Sequence, residues 1–281
     1  MTAEFLSRHK HGLYWLHISL VVGTICLIVP VIAWTGGAVP SGFRALIIFV
    51  LTTVAFCQNQ GLVHHCAHHL PKGPYPLGLY AARFLHYLGG LPYTKTRFAH
   101  RLHHAHLGSS LDPDRVGYES TTTVMKRLRY LVLIGPLRAR FAPVDTSYAL
   151  NAMSPDRRAQ HERSCRRDWR LVGLTHLILM GLCGLYYPVV FAALLFANVL
   201  SNVREMAEHG NRGQGAYINL DVSVPGVLFF STPGFWFHAV HHMDASIHYL
   251  DLPSVARRFT PKTNLPFLQR HSAVAYLFTG R

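Results

Sequence analysis

Histidine residues in three separate segments are the side chains of this chain best suited to chemistry. The segments read HHCAHH (residues 64–69), HRLHH (100–104) and HAVHH (238–242). Positions i, i+3 and i+4 lie on one face of a helix, so each segment presents its imidazoles as a group. Neutral imidazole suits iron, copper, zinc and nickel. Eight ligands exceed the needs of one tetrahedral ion, which predicts a binuclear metal centre built from one histidine pair of the first segment together with His100, His103, His104, His238, His241 and His242.

A loose metal-scavenging tract is the simpler interpretation of a histidine-rich sequence. Such a tract would gather its histidines in one low-complexity loop. Here the three segments are far apart in the chain, and each lies next to an apolar stretch. Their distribution favours a folded metal site.

The first segment contains two pairs with helical spacing, His64 with His68 and His65 with His69. A shift of one residue rotates the face of a helix by about 100°, so only one pair can face the site. Periodicity alone leaves the choice open.

The elements that must position these histidines are apolar helices. Of the 281 residues, 50% are hydrophobic and 14% are charged, against about 25% charged in a soluble domain. Residues 18–34 form an uncharged block long enough to cross a bilayer, and residues 44–65 form a second apolar block, which begins at Arg44. Residues 171–203 carry no Lys, Arg, Asp or Glu and predict two further spans, with a break near Pro188. The sequence predicts an all-α membrane protein with about four transmembrane helices.

The distribution of basic residues predicts the orientation of these spans. Arg8 and Lys10 precede the first span, and residues 72–170 and the segment from Arg204 onward are rich in arginine. The two connections on the other side carry no basic residue, Arg44 being a mild exception. The positive-inside rule then predicts that both termini and all three histidine segments are cytoplasmic. Residues 70–170 and 204–281 would form a helical cap there. The net charge of +14 fits basic loops at an anionic membrane, and no nucleic-acid-binding motif accompanies it.

The last apolar stretch ends in NVREMAEHG, which places His209 at the tip of a helix with Glu205 one turn before it. We predict His209 as a ninth ligand. Glu205 could bind the metal, act through water, or hold the imidazole in place. The alternative is an ion pair of Glu205 or Glu208 with Arg204 or Arg212.

These segments resemble the three histidine boxes of the membrane fatty acid desaturase and hydroxylase superfamily, which are non-haem diiron enzymes. HHCAHH looks like the first box, which assigns His64 and His68 as ligands. HRLHHAHLGSSLDPD looks like the second box with its trailing Asp112-Pro113-Asp114. HAVHHMDASIHYLDLP looks like the third box, ending in Leu252 and Pro253. The family also has a ligand on the helix before the third box, which His209 resembles.

The resemblance implies one desaturase-like domain over residues 1–281, two iron ions, and the use of dioxygen with external electrons to desaturate an aliphatic, fatty acyl chain. No fused cytochrome b5 signature (H-P-G-G) is present, so the electrons are expected from a separate protein of the ferredoxin, rubredoxin or cytochrome b5 type. The residues expected to support the ligands from outside are Glu205, Asp112, Asp114 and His65.

The chain departs from the family pattern at two places. His65 replaces an acidic residue that is common in the first box, so an expected carboxylate acceptor is absent from that position. MDASIHY follows the third box where the family often has LFP, which points to an unusual substrate.

The sequence is compatible with three hypotheses. The first is a desaturase of an acyl chain, with a hydroxylase as its variant. The second keeps the fold and the metals but acts on a carotenoid-like or small molecule. An apolar tunnel would favour the first, and a short polar pocket the second. The third is a metal transporter, which would place ionisable residues near the membrane midplane. Of the histidines, His176 alone lies within an apolar run, which argues against transport.

Overall fold

The architecture is taken from a computed structural model that describes residues 8–35, 40–68, 78–114, 123–132, 145–209, 219–220, 237–259 and 270–271. These residues are helical apart from turns and two two-residue strands, which pair in parallel with Asn219 opposite Arg270. The elements in chain order are α1 (Lys10–Gly23), a π-helical turn (Thr24–Ile28), α2 (Val29–Thr35), α3 (Ser41–Gln58), α4 (Gln60–His68), α5 (Gly78–Leu88), α6 (Tyr93–His106), α7 (Val124–Val132), α8 (Ser147–Asn151), α9 (Pro155–Cys183), a 3-10 turn (Gly184–Tyr186), α10 (Tyr187–His209), β1 (Asn219–Leu220), α11 (His238–Met243), α12 (Leu252–Phe259) and β2 (Arg270–His271).

Within the described part of the chain, three helical stretches are long and apolar enough to cross a membrane. They are Lys10–Trp34, Ser41–His68 and Pro155–His209. Large apolar side chains on these stretches point outward, among them Leu27, Phe43, Leu177 and Ile178. An exposed apolar surface of this kind is costly in water and is expected where lipid is the solvent.

The third stretch is broken at Gly184, which has φ +53°. A side chain is disfavoured at this φ, and a Cβ there would also lie 3.4 Å from the Trp34 ring. The break thus lies inside the predicted segment, but ahead of Pro188. That proline is in the first turn of α10, where its missing N–H costs no hydrogen bond.

The residues around this break meet the far ends of the other long helices. The indole nitrogen of Trp34 donates a hydrogen bond of 2.6 Å to the carbonyl of Leu182. The Arg44 guanidinium lies 5.5 Å from the centroid of the Tyr186 ring. The histidines of α4 and α10 lie at the opposite ends of their helices. The break is therefore at one end of the bundle, and the histidines are at the other.

The core is formed by the long helices and α5. Helix α3 packs along α10, and α9 packs against α5 and α6. Ile48, Leu62, Leu85 and Leu194 are among the fully buried side chains of this core. Between helices in lipid, close packing of such side chains takes the place of transfer from water, and here it holds α4 against α6 and α3 against α10.

Candidate metal centre

The first histidine pair is presented by α4, which begins directly after a break in the second long helix. Helix α3 ends at Gln58, and Asn59 at φ −103° separates it from α4. Asn59 is fully buried and donates from Nδ2 to the carbonyl of Ala55 at 3.1 Å. His64 and His68 then lie one turn apart near the end of α4.

The second set is carried by α6, whose first turn is fixed by two neighbouring helices. The carboxylate of Asp168 on α9 accepts a hydrogen bond of 2.6 Å from the backbone N–H of Thr94. It also accepts one of 2.9 Å from the Tyr87 hydroxyl. A carboxylate there satisfies one of the free N–H groups at the helix N-terminus and complements its dipole. The Tyr93 hydroxyl donates to the carbonyl of Cys66 at 2.7 Å, which joins α6 to α4.

The third set lies on α11, a helix of six residues that needs tertiary support. A small apolar cluster that includes Val240, Leu250 and Leu252 packs beneath it. Tyr249 belongs to the same cluster, and its hydroxyl is hydrogen-bonded to Nδ1 of His17 at 2.8 Å. The segment that follows the third box is therefore attached to α1.

All nine histidines predicted as ligands converge on one region, in two groups. The first group has its nitrogens within 4.8 Å of one another and consists of His64, His68, His100, His104 and His241. The second is described by two overlapping sets of the same tightness, which together contain His103, His209, His238, His242 and Glu208. Each group takes residues from at least three helices.

The spacing of the nitrogens within these groups is that of ligands around a shared ion. Nε2 of His241 lies 2.9 Å from Nε2 of His64 and 3.2 Å from that of His68. In the second group, Nε2 of His238 lies 3.1 Å from that of His209 and 2.8 Å from that of His242. Imidazoles bound at about 2.1 Å would place neighbouring nitrogens about 3.0–3.4 Å apart. Both groups can hold a metal ion.

Electrostatics keep these imidazoles in the neutral form that binds metals. Burial and then the neighbouring imidazoles lower the pKa of His100, His241 and His242 well below the ordinary value. Burial lowers the pKa of His104 to about 3. The Nε2 atom of His104 is buried and has no hydrogen-bond partner among the described residues, as expected of a nitrogen reserved for a metal.

His103 differs from these imidazoles because nearby carboxylates raise its pKa. Its Nδ1 atom lies 2.9 Å from Oδ1 of Asp112 and 3.8 Å from Oδ2 of Asp114. Burial lowers the pKa of His103, but Asp112, Asp114 and Glu205 together outweigh burial, so the pKa is raised. Asp112 also accepts backbone hydrogen bonds from Gly108 and Asp114 at 3.0 and 2.9 Å.

The two acidic residues of α10 take different positions beside the histidines. Glu208 is fully buried, and its Oε2 lies 3.7 Å from Nε2 of His238 and 3.8 Å from Nε of Arg204. Glu205, which helical spacing had favoured, lines the adjacent cavity. Spacing within α10 could not identify Glu208 as a neighbour of the site, because its contact is with a residue of α11.

In the first segment, His64 and His68 face the cluster, whereas His65 does not belong to either group. The ring of His65 lies 4.6 Å from that of His248 and 6.0 Å from that of Tyr249. His69 and Arg212 lie outside the described residues.

A cavity of about 290 Å³ opens beside the two groups, between α4, α5, α6 and α10. His64, His100, His103, His209 and His238 contribute to its lining. A substrate in this cavity would therefore lie against both histidine groups.

The fold and the site together define a helical protein with membrane-spanning segments and a polyhistidine metal centre. Residues 40–271 match the family model described as "Fatty acid desaturase", and the chain belongs to this family. It is thus an oxidoreductase of the membrane-bound desaturase and hydroxylase type. A search of curated proteins finds no match.

Proposed function

We propose that the protein is a diiron oxidoreductase that uses dioxygen and external electrons to remove hydrogen from an aliphatic chain. The observation that carries the proposal is the convergence of nine imidazoles in two groups, in which the closest nitrogen pairs lie 2.8 to 3.2 Å apart. Family membership supports iron as the metal, and imidazole is a suitable donor for it.

In this proposal the first ion is held by His64, His68, His100, His104 and His241. The second is held by His103, His209, His238 and His242, with Glu208 beside them. Bound iron would supply the activation of dioxygen and the oxidation of an unactivated C–H bond. The protein orients the ligands and limits the access of water, since His103, His238 and His241 are each no more than 2% exposed.

Carboxylates orient the second set of ligands. Asp112 fixes the ring of His103 through Nδ1, which leaves Nε2 as the atom available to the metal. Asp114 and Glu205 add negative charge near the same ring. His65, the other residue expected to support the ligands, packs against His248 and Tyr249.

We further propose four membrane crossings, with the break at Gly184 joining the third and the fourth. Asp168 near the middle of α9 contacts α6, and His209 at the end of α10 reaches the histidines of α6. The chain therefore leaves the site along α9 and returns along α10, as a hairpin would. The basic segments around the site support a cytoplasmic position for the site and for both termini, with the short helices as a cap within a single domain.

Electrons would come from a separate ferredoxin, rubredoxin or cytochrome b5 type protein. Desaturation and hydroxylation share the first hydrogen abstraction and differ in the second step, which is either a second abstraction or the transfer of oxygen to carbon. Desaturation of an acyl chain is the family's named activity, whereas the amide side chains that line the cavity favour a substrate with a polar function.

The decisive experiment combines metal analysis with product analysis. Purified anaerobically with iron, the protein should hold about two iron ions per chain. It should consume dioxygen when supplied with a reduced electron carrier and a lipid extract, and mass spectrometry should detect products lighter by two hydrogens. Products heavier by one oxygen would identify a hydroxylase. A single zinc ion without iron would contradict the proposal.

A further inference from the structure

Two amide side chains line the cavity beside the metal centre and have polar atoms without a hydrogen-bond partner in the described part of the chain. Gln60 is the first residue of α4, and neither its Oε1 nor its Nε2 has a hydrogen-bond partner there. The same holds for Nδ2 of Asn202 on α10. Both residues are about 8% exposed, and both line the cavity.

Burial without a partner makes these groups costly. An unsatisfied buried amide costs about 1–3 kcal/mol, and most buried polar side chains in proteins are therefore hydrogen-bonded. Apolar residues form much of the remaining wall, including Phe56, Val63, Leu85 and Leu91. A few polar groups in a mostly apolar cavity is the usual arrangement of a small-molecule site, where they fix the orientation of the ligand.

We propose that Gln60 and Asn202 bind an uncharged oxygen function of the substrate, a hydroxyl or a carbonyl, close to the carbon that is oxidised. This inference rests on the proposed function and adds the substrate class to it. The two NH₂ groups can donate to the substrate oxygen, and the Gln60 carbonyl can accept from a hydroxyl.

The position of Gln60 places the polar function near the reacting carbon. Gln60 lies four residues before His64 on the same helix face, a separation of about 6 Å along the axis. A group bound by Gln60 is thus a few bonds away from a carbon that lies against His64. The substrate is oxidised near its oxygen function and not in the middle of a long hydrocarbon chain.

The charges around the cavity favour an uncharged group over a carboxylate. The lining carries two basic and three acidic side chains, which are Lys95, Arg204, Asp114, Glu205 and Glu208. Arg204 already faces Glu208, at 3.8 Å. Among these side chains, an anion would therefore meet no excess of positive charge, whereas the amides can bind an uncharged group.

The test compares two probes of similar size in the iron-loaded protein in lipid nanodiscs. Hexan-1-ol carries the hydroxyl, and heptane carries a methyl group in its place. Dissociation constants are measured by calorimetry for wild type, Gln60→Met, Asn202→Leu and the control Thr52→Val. Thr52 is fully buried, and its hydroxyl has no partner among the described residues, but it does not line the cavity.

In each amide variant, the preference for hexan-1-ol over heptane should fall about tenfold relative to wild type, the value of one net hydrogen bond. Thr52→Val should keep the wild-type preference. An unchanged preference in both amide variants would overturn the proposal and leave water as the partner of the amides. If neither hexan-1-ol nor heptane bound to wild type, the proposal would also be overturned.

Hexanoate serves as a third probe. If hexanoate bound more tightly than hexan-1-ol and lost affinity in the same variants, the assignment of an uncharged group would be wrong. Because the two variants lie on different helices, either one alone carries the test if the other fails to fold. Because binding is measured without turnover, the polar site and the diiron function can fail separately. If metal analysis found zinc but the protein still preferred hexan-1-ol over heptane as expected, the diiron function would be refuted and the polar site supported.

Discussion

The Nδ1 atom of His103 lies 2.9 Å from Oδ1 of Asp112, and both side chains are almost completely buried. Asp112 lies beyond the end of α6, and the chain turns back so that its carboxylate reaches the helix it has just left. The same carboxylate accepts two backbone N–H groups of that turn. The aspartate therefore fixes both the turn and the imidazole.

Asp112→Asn should reduce activity by about 10–100-fold and weaken iron binding, because an amide orients the His103 ring less strongly than a carboxylate. The measurement is the iron content after dialysis against a chelator, together with the turnover rate. Asp114→Asn is the matched control and should retain iron, since Oδ2 of Asp114 lies 3.8 Å from Nδ1 of His103, beyond hydrogen-bonding distance. Equal losses in the two variants would argue against a specific role of Asp112.

Within the first histidine segment, His64→Ala and His68→Ala should each abolish activity, because each removes a nitrogen from the first group. His65→Ala should be much milder, since its ring packs against His248. Iron content and activity are measured side by side. A reversed pattern would mean that α4 is rotated about its axis relative to the structure.

His209→Ala should lose iron and activity together, because Nε2 of His209 lies 3.1 Å from that of His238. Glu208→Gln should impair iron retention more than Glu205→Gln, since Glu208 lies within the second group and Glu205 lines the cavity. Full iron content and full activity in His209→Ala would remove this residue from the site and leave eight histidines.

Asp168→Ala should lower the free energy of unfolding by at least about 2 kcal/mol, because a buried carboxylate that accepts two hydrogen bonds is lost and the Tyr87 hydroxyl loses its partner. The measurement is chemical unfolding in detergent, followed by circular dichroism. Glu162→Ala on the same helix is the control. Its ion pairs with Arg158 and Arg166 are exposed and should be worth less than about 1 kcal/mol.

The sequence alone was sufficient to predict the helical membrane architecture and the metal-binding character of the chain. Apolar blocks of bilayer length and i, i+3, i+4 histidine spacing are local properties, and local periodicity determines which side chains share a helix face. A break in the last apolar stretch was predicted near Pro188, and the structure has it four residues earlier, at Gly184. The family match confirms the resemblance that these motifs indicated.

The tertiary structure decided which residues meet between helices. The approach of Glu208 to His238 and the hydrogen bond from the first turn of α6 to Asp168 join residues that are far apart in the chain. The choice of His64 and His68 over His65 follows from the rotation of α4 about its axis. Spacing within one helix contains no information on the rotation of that helix against its neighbours. That rotation is set by the packing of α3, α4, α5, α6, α9 and α10 around their shared apolar core, because many close van der Waals contacts together outweigh any single polar contact.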